Sequence, residues 1–493
     1  MVASLLRVLH SGPQDGRLLP PLTKDGVKAY VRVLVRAGRM TTQWQRLDFY
    51  NPPNFGQQAT VQIPVKGELL TRLYLVTTMP DIWTPQAAAR VAQGSQSVVP
   101  SFGWTNSLGH ALIANAQLDI GGARAEVLDG RLLEVLDEFN TPLEKVLLKN
   151  DLICRKQNGF SSHSYGQSTT PTTVVTPLPF WFSRGDLGAA LPIDALYVDS
   201  VTIKLQFQPV TSVYYTESRS TAAATNIDGS ALWPILGSKF YYLSTNSQPI
   251  PGITMPLSLS LGDTYLMAEY VYLDKPEANR FRIAEITIPV VQHYPIEPTD
   301  TRGFPRIQIP IDFSNPIRNL FFMAQNYTAN TYNAPFLATR DLSGCDILEP
   351  PWWPDCIGLS ASVPASLIPG FAMRGSEPFS YIELLYEGKY VKTSTENCAI
   401  YRSILPSLEM RKSPWHNRYM YVIPFGVQSG YTNASTPSGQ TNFNRITNKD
   451  LILGINPNLG TDSQYTRLWI YAWVEMYNVF RIYGGRGTLL FAY

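Results

Sequence analysis

The sequence is poor in charge, cysteine and histidine, and it lacks long apolar runs. Only 16% of its 493 residues are Asp, Glu, Lys or Arg, against about 25% in an average soluble protein. Four cysteines are too few for a disulfide framework, so we expect mostly buried, reduced thiols. Since 44% of the residues are hydrophobic, the shortage of charge does not indicate disorder, and a packed globular protein is expected.

No stretch of the sequence resembles a secretory leader or a membrane-spanning helix. The most apolar segment, Leu468 to Tyr483, is interrupted by Glu475 and Arg481. No apolar run approaches the ~18 residues that a transmembrane helix needs, and the first residues lack the apolar core of a signal peptide. We therefore expect no membrane span, and a chain that folds in a reducing, cytosolic compartment.

The motifs of common enzymes are missing as well. The sequence contains neither the phosphate-binding GxxxxGK[ST] motif nor the GxSxG nucleophile elbow. Its five histidines are scattered, none within four residues of another, whereas a jelly-roll metalloenzyme needs clustered ligands. The glycine-rich GGRG at 484–487 has no helix after it, so we interpret it as a turn between strands. We expect no catalytic residue, no cofactor and no metal.

What the sequence does contain is a series of short segments in which apolar and polar residues alternate. Residues 27–36, 201–207 and 306–312 show this pattern and are rich in β-branched residues, which favours strands. Pro64 and Pro310 fall in such runs, which predicts edge strands or bulges there. Clusters of Asn, Gly, Pro and Ser separate the segments. The pattern predicts an all-β protein built from antiparallel sandwiches or jelly rolls.

Helical patterns are few, and the length of the chain predicts two domains. The clearest helix is expected from Val127 to Phe139, where Leu128, Leu132, Leu136 and Phe139 share one face. Residues 210–262 have the composition of a loop. Residues 265–283 are predicted to form a strand, a short helical or turn segment and the start of a new strand, so we place the domain boundary near Lys275.

Six segments, in order along the chain, resemble the major capsid protein family of nucleocytoplasmic large DNA viruses. These segments are 4–15, 102–139, 178–207, 270–283, 426–446 and 476–493. The more specific motifs are PFWF at 179–182 with Leu-Pro downstream, and PSG at 437–439 followed by NFNRI at 442–446. The resemblance implies two tandem eight-stranded antiparallel jelly rolls, with long loop insertions and a few short helices.

The resemblance also implies a structural role without enzyme activity. In such a family the chain forms a homotrimeric, pseudo-hexameric capsomer that tiles the icosahedral shell of a large double-stranded DNA virus. The implied partners are neighbouring capsomers and minor capsid proteins in the virion, after assembly in the host cytoplasm. We expect an N-terminal arm at 1–27 and jelly rolls at 28–274 and 275–493. The alternatives are a minor or vertex capsid paralogue of this fold and a carbohydrate-binding or enzymatic jelly-roll protein.

The N-terminal region carries an excess of positive charge. Residues 1–46 hold eight Lys and Arg and two Asp, a net charge of +6 within a chain of net +2. In the resembled family the arm lies on the inner side of the shell, near minor proteins and an internal membrane. Arg7, Arg17 and Lys24 are therefore expected inner-face contacts, each worth about 1 kcal/mol beside anionic headgroups; a solvated arm is the alternative. The low net charge predicts no direct binding of nucleic acid.

Two further features point to the outer surface or to contacts between subunits. Asn326 and Asn433 begin glycosylation sequons. Some relatives in the resembled family are glycosylated, so both are candidate glycan sites, although such short patterns also arise by chance. The pair Trp352 and Trp353 lies among prolines and is interpreted either as an anchor for a neighbouring subunit or as a loop folded onto its own sandwich.

Overall fold

The computed structural model describes most of the chain between residues 40 and 491. The described residues are 40–81, 101–155, 173–217, 259–326, 335–336, 377–395, 398, 400–414, 418–432, 434, 437–456 and 467–491. The predictions for the strand at 27–36, for Trp352 and Trp353, and for Cys345 and Cys356 lie outside these residues. The two cysteines within them, Cys154 and Cys398, are buried free thiols.

The described residues form mainly strands. The strands are β1 Met40–Asp48, β2 Gln58–Ile63, β3 Leu69–Thr78, β4 Ser101–Trp104, β5 Ile113–Ile120, β6 Ala123–Asp129, β7 Thr173–Pro177, β8 Val201–Phe207, β9 Tyr214–Glu217, β10 Thr264–Leu273, β11 Ile286–Asp300, β12 Arg306–Pro310, β13 Pro316–Asn326, β14 Phe379–Tyr386, β15 Lys389–Thr395, β16 Met420–Pro424, β17 Thr441–Asn442, β18 Lys449–Ile455, β19 Leu468–Tyr483 and β20 Arg486–Leu489. The α-helices are α1 Leu108–Ala111, α2 Gly130–Asn140, α3 Val146–Leu152, α4 Lys275–Ile283 and α5 Leu405–Glu409. The expected all-β class with a few short helices is confirmed.

The first sandwich consists of two four-stranded antiparallel sheets. Sheet A has the order β1-β10-β3-β7 and sheet B the order β2-β8-β5-β6, while β4 and β9 form a separate pair. Strand β8 alternates as predicted, since Val201, Ile203, Leu205 and Phe207 are buried and the residues between them are not. These side chains enter a common core with residues of sheet A such as Leu73 and Leu266, so the two sheets pack face to face.

The second sandwich repeats this construction. Sheet C has the order β11-β19-β13-β16, extended by β17 and β20, and sheet D has the order β12-β18-β14-β15. Ile307, Ile309 and Ile311 are buried as predicted. Pro310 ends β12, an edge strand, and Pro64 follows the edge strand β2. Both positions agree with the expectation that a residue without an N–H group avoids the centre of a sheet.

The two sandwiches share one strand order. When the eight sandwich strands of each are counted along the chain, the orders of the paired sheets are 1-8-3-6 and 2-7-4-5 in both cases. This order places the first and last strands side by side, as in a jelly roll. The expected pair of tandem eight-stranded jelly rolls is therefore present, and α4, capped by the Asp274 side chain, stands between the last strand of one and the first strand of the other.

Two local predictions need correction. The helix expected from Val127 begins at Gly130, because Val127 to Asp129 pair with β5 and the Asp129 carboxylate accepts the Leu132 N–H at 2.8 Å as a helix cap. A residue larger than glycine at 130 would bring its Cβ within 2.6 Å of the Ile113 carbonyl oxygen. The segment 210–262, expected to be a loop, contains β9, whose hydrogen bonds to β4 at 101–104 are not visible in local composition.

Candidate functional site: the junction of the two sandwiches

Sheet C is buried on both faces, and this creates the junction between the sandwiches. Successive residues of a strand point to opposite faces. On β13, Leu320 and Phe322 face sheet D in the core of the second sandwich, whereas Phe321 and Met323 join the core of the first. Strand β19 behaves likewise, with Val474 in the second core and Trp473 in the first. The outer face of sheet C is therefore a hydrophobic seat for the first sandwich.

Helix α2 occupies the centre of this seat. The Phe139 ring lies 5.6 Å from the Phe321 ring, and the Trp473 indole N–H donates to the Asp129 carboxylate at 2.9 Å. Arg131 has its guanidinium 4.2 Å from the Tyr471 ring centroid. An aromatic pair of this kind adds about 0.5–1.5 kcal/mol to the area that it buries, so α2 joins the two sandwiches by specific contacts as well as by packing.

The buried Glu134 carboxylate on α2 forms ion pairs with arginine side chains from both sandwiches. Glu134 has no exposed surface and lies 2.6 Å from both Arg155 Nη2 and His110 Nδ1; it also pairs with Arg418. Ser107 donates its hydroxyl to Glu134 at 2.9 Å. Burial alone would raise the pKa of Glu134, but the guanidinium groups of Arg155 and Arg418 hold that pKa well below its usual range. Glu134 is therefore an ionised anchor.

Neighbouring charges extend this network across the junction. Glu138, one turn further along α2, lies 3.2 Å from Arg418 Nε and 2.5 Å from Lys412 Nζ, and both cations belong to the second sandwich. The four side chains Glu134, Glu138, Lys412 and Arg418 are nearly inaccessible to solvent. Buried ion pairs lose much hydration, so their net contribution to stability is small, whereas the removal of one partner leaves an uncompensated buried charge.

A second network lies beneath the PFWF motif. Glu475 on β19 lies within 3.4 to 3.6 Å of Arg184, His293 and Arg318. Arg184 comes from the first sandwich, and its Nη2 is also 2.9 Å from His293 Nδ1. Burial would raise the pKa of Glu475, but Arg318, His293 and Arg184 hold it well below its ordinary value. Trp181 of the motif packs against Phe480 at 5.6 Å, so apolar and ionic contacts coincide.

The GGRG segment closes the junction at one edge. Gly484 and Gly485 form the turn between β19 and β20, with φ of +58° and +79°, which confirms the interpretation as a strand-turn. The Gly485 carbonyl accepts the N–H groups of Val198 and Asp199 at 3.1 and 3.2 Å. The Asp199 carboxylate accepts the Gly487 N–H at 3.0 Å. This turn is thus hydrogen-bonded to the first sandwich.

Two buried carboxylates at the junction, Glu134 and Glu475, are not suited to act as general acids. A general acid needs a pKa near the working pH, whereas the pKa values of Glu134 and Glu475 are lowered by their arginine partners. Among the described residues, no group of three or more His, Cys, Asp or Glu side chains is placed to hold a metal ion. In the same part of the chain no helix is both long and apolar enough to cross a bilayer.

Most of the site residues predicted from the sequence lie outside the described part of the chain. Arg7, Arg17, Lys24 and Asn433 lie outside the described residues, and Asn326 is the last residue of β13, paired with Leu468. Sequence reasoning missed the charged network because its partners are far apart in the chain. One signal was available, because Glu475 is the single carboxylate in the mostly apolar segment 468–483.

Two tandem jelly rolls with one strand order, joined at a buried junction, define the double jelly-roll fold. The family model described as the major capsid protein N-terminus matches residues 30–274. The model described as the large eukaryotic DNA virus major capsid protein matches residues 282–488. The chain belongs to the family of major capsid proteins of large eukaryotic DNA viruses.

Individual relatives agree with this assignment. The chain is 22% identical over 456 residues to the major capsid proteins of Rana tigrina ranavirus and Frog virus 3, covering 88% of this chain and 86% of each relative. Among solved structures, the PBCV-1 virus capsid matches with a TM-score of 0.64 at 16% identity, covering 94% of this chain and 100% of that chain. The Faustovirus major capsid protein matches with a TM-score of 0.60 at 11% identity, covering 94% of both chains. These likenesses in structure establish the double jelly-roll fold.

Proposed function

We propose that this structural capsid protein forms a homotrimer that tiles an icosahedral shell as a pseudo-hexagonal capsomer. The observation that carries the proposal is the repeated strand order of the two sandwiches. Three chains of two similar lobes place six lobes around one axis, which suits a hexagonal lattice. Such a building block must be rigid, and the apolar and ionic contacts across the junction support that requirement.

The division of the chain is part of the proposal. We propose an arm at 1–27, a jelly roll at 28–274 and a second jelly roll at 275–493. Sheets A and B use strands between Met40 and Leu273, and sheets C and D use strands from Ile286 onward. Helix α4, at Lys275–Ile283, occupies the connection.

The arm is proposed to contact the inner side of the shell. Arg7, Arg17 and Lys24 would there meet acidic minor capsid proteins or the anionic headgroups of an internal viral membrane, an interaction that salt weakens. The arm itself has three basic and two acidic residues, and the positive charge that supports this role continues beyond it to residue 46, giving +6 over residues 1–46. A chain lacking residues 1–26 should still form the folded trimer but assemble shells poorly, and unimpaired assembly would refute the role of the arm.

Location and modification follow from the same proposal. The chain would be assembled in the host cytoplasm and reside in the virion shell beside neighbouring capsomers, without direct contact to nucleic acid. The buried free thiols of Cys154 and Cys398 agree with a reducing compartment. Glycans are proposed at Asn326 and Asn433, and intact-mass measurement of protein from virions would reveal them as added mass.

Absence of enzyme activity is also proposed, because the buried charged groups of the junction are engaged in ion pairs between the sandwiches. A minor or vertex paralogue of the same fold is the nearest alternative, and copy number in purified particles distinguishes it. A carbohydrate-binding or enzymatic jelly-roll protein would instead act as a monomer that binds or converts glycans.

Native mass spectrometry of the purified full chain tests the central claim. We expect a dominant species of three chains, and electron microscopy of the same sample should show particles with six lobes. A protein that remains monomeric at micromolar concentration would overturn the proposed capsomer, while leaving the family assignment intact.

A further inference from the structure

The internal repeat gives each element at the junction a counterpart elsewhere in the molecule. In the first sandwich, the segment between the fifth and sixth strands contains α2, which packs on the outer face of sheet C. The segment between the sixth and seventh strands contains Trp181 and Arg184, which contact the same sheet. In the second sandwich, the corresponding segments are the helical stretch Ile400–Glu409 and the loop that follows β16.

These counterpart segments expose large apolar side chains. Ile404, Leu408, Val427 and Tyr431 are 50 to 65% exposed, and we call them the projecting surface. The two segments are held together, because Gly430 donates its N–H to the Glu409 carbonyl at 2.7 Å. Apolar side chains gathered in this way are typical of a surface that another protein covers.

Sheet A supplies the counterpart of the seat on sheet C. Its outer face carries Trp44, Tyr74 and Met267, which we call the receiving surface. The register places Met267 opposite both Arg46 and Tyr74, and the Trp44 and Tyr74 rings lie 5.6 Å apart. Trp44 remains 42% exposed, whereas Trp473 on the equivalent face of sheet C is buried beneath the first sandwich.

The charges around the receiving surface are already neutralised. The Arg46 guanidinium forms two hydrogen bonds with Asp263, at 2.7 and 2.8 Å, and Arg72 lies 3.1 Å from Glu269. Covering this face would therefore bury paired charges rather than isolated ones, which lowers the cost of desolvation. The face can thus be covered much as the seat on sheet C is covered within one chain.

We infer that the receiving surface of one chain binds the projecting surface of a second copy of this chain. This inference rests on the proposed homotrimer and names the contact that would build it. Each copy carries both surfaces, one on each sandwich, so the contact is head-to-tail and three copies close a ring when successive copies are rotated by 120°. The contact between chains then repeats the contact that joins the two sandwiches within a chain.

A charge placed at the centre of the projecting surface tests this contact. Leu408→Glu should raise the dissociation constant of the oligomer by about 100-fold or more, because an unpaired carboxylate would be buried against an apolar face. Leu148→Glu is the matched control, since Leu148 on α3 is 64% exposed against 61% for Leu408 but lies outside both surfaces. Native mass spectrometry across a dilution series measures both variants.

The expected result is a trimer for the wild type and for Leu148→Glu, and mainly monomer for Leu408→Glu. Trp44→Glu, on the receiving surface, should weaken the trimer in the same way, and circular dichroism checks that each variant is folded. A Leu408→Glu protein that stays trimeric refutes the inferred contact, as does equal dissociation of the Leu148→Glu control. A monomeric wild type refutes the proposed trimer itself, so the two failures are distinguishable.

Discussion

Arg418 provides the sharpest test of whether charge at the junction holds the two sandwiches together. Its side chain is only 3% exposed and pairs with Glu134 and Glu138 on α2. Arg418→Met keeps an apolar stem of similar reach but removes the positive charge. Glu134, which has no exposed surface, then loses one of the two arginines that stabilise its ionised form.

The size of the effect follows from the partners that remain. Removing one member of a buried ion pair costs about 3–5 kcal/mol, because an uncompensated charge stays behind. Glu134 keeps Arg155 and His110, and Glu138 keeps Lys412. We therefore expect a loss near the lower end, about 3 kcal/mol. Adding Glu134→Gln to the variant should reduce the loss, because the double substitution removes one positive and one negative charge and so restores the charge balance of the buried network.

Urea unfolding followed by tryptophan fluorescence and circular dichroism measures this loss at fixed protein concentration. Arg306→Met is the control, since Arg306 is an exposed arginine on β12, and its replacement should change the free energy of unfolding by less than about 0.5 kcal/mol. If Arg418→Met and Arg306→Met unfold alike, the ionic network does not stabilise the junction and the reasoning is wrong.

Three further tests use unfolding in acid, the substitution Gly130→Ala and the reactivity of the Cys154 thiol. Arginine partners lower the pKa values of Glu134 and Glu475 in the folded state. The stability that these two carboxylates contribute is therefore complete above the ordinary carboxyl pKa of 4.5 and is lost as the pH falls below it. The urea concentration at the midpoint of unfolding should accordingly decrease as the pH drops from that value. Gly130→Ala sets a Cβ 2.6 Å from the Ile113 carbonyl oxygen and should cost about 1–3 kcal/mol; an unchanged melting temperature would contradict this. Burial raises the pKa of the Cys154 thiol to about 11, so pulse alkylation at neutral pH, read by peptide mass spectrometry, should leave it unmodified until the chain unfolds.

Strands were predictable where the pattern that forms them is local. The alternation in 201–207 and 306–312 has a period of two residues, and burial follows it in both segments. The helix boundary at Gly130 was not predictable in this way. It depends on β6 pairing with β5 and on the approach of a backbone carbonyl from residue 113, and neither contact is encoded in the helical pattern.

The charged residues of α2 show a different limit. From the helical pattern, Glu134 and Glu138 lie on the side of α2 away from the apolar stripe and would be assigned to solvent. The structure buries both, because Arg418 arrives from a segment 284 residues away. The burial of an unpaired carboxylate costs too much free energy to be expected. Arg418, which pairs with Glu134 and Glu138, lies beside them only because the two sandwiches are docked.

Composition and alternation were enough to predict an all-β protein, because hydrophobic periodicity and turn chemistry act over a few residues. The capsid role and the pair of jelly rolls were predicted from the resemblance of six ordered segments to a known family. Which faces of the sheets are covered was decided by packing. The central strands of sheet C are covered on both faces, and sheet A retains an exposed face, although both consist of similar strands. That difference arises from the docking of distant segments, since burial depends on which surfaces meet in space rather than on which residues are neighbours in the chain.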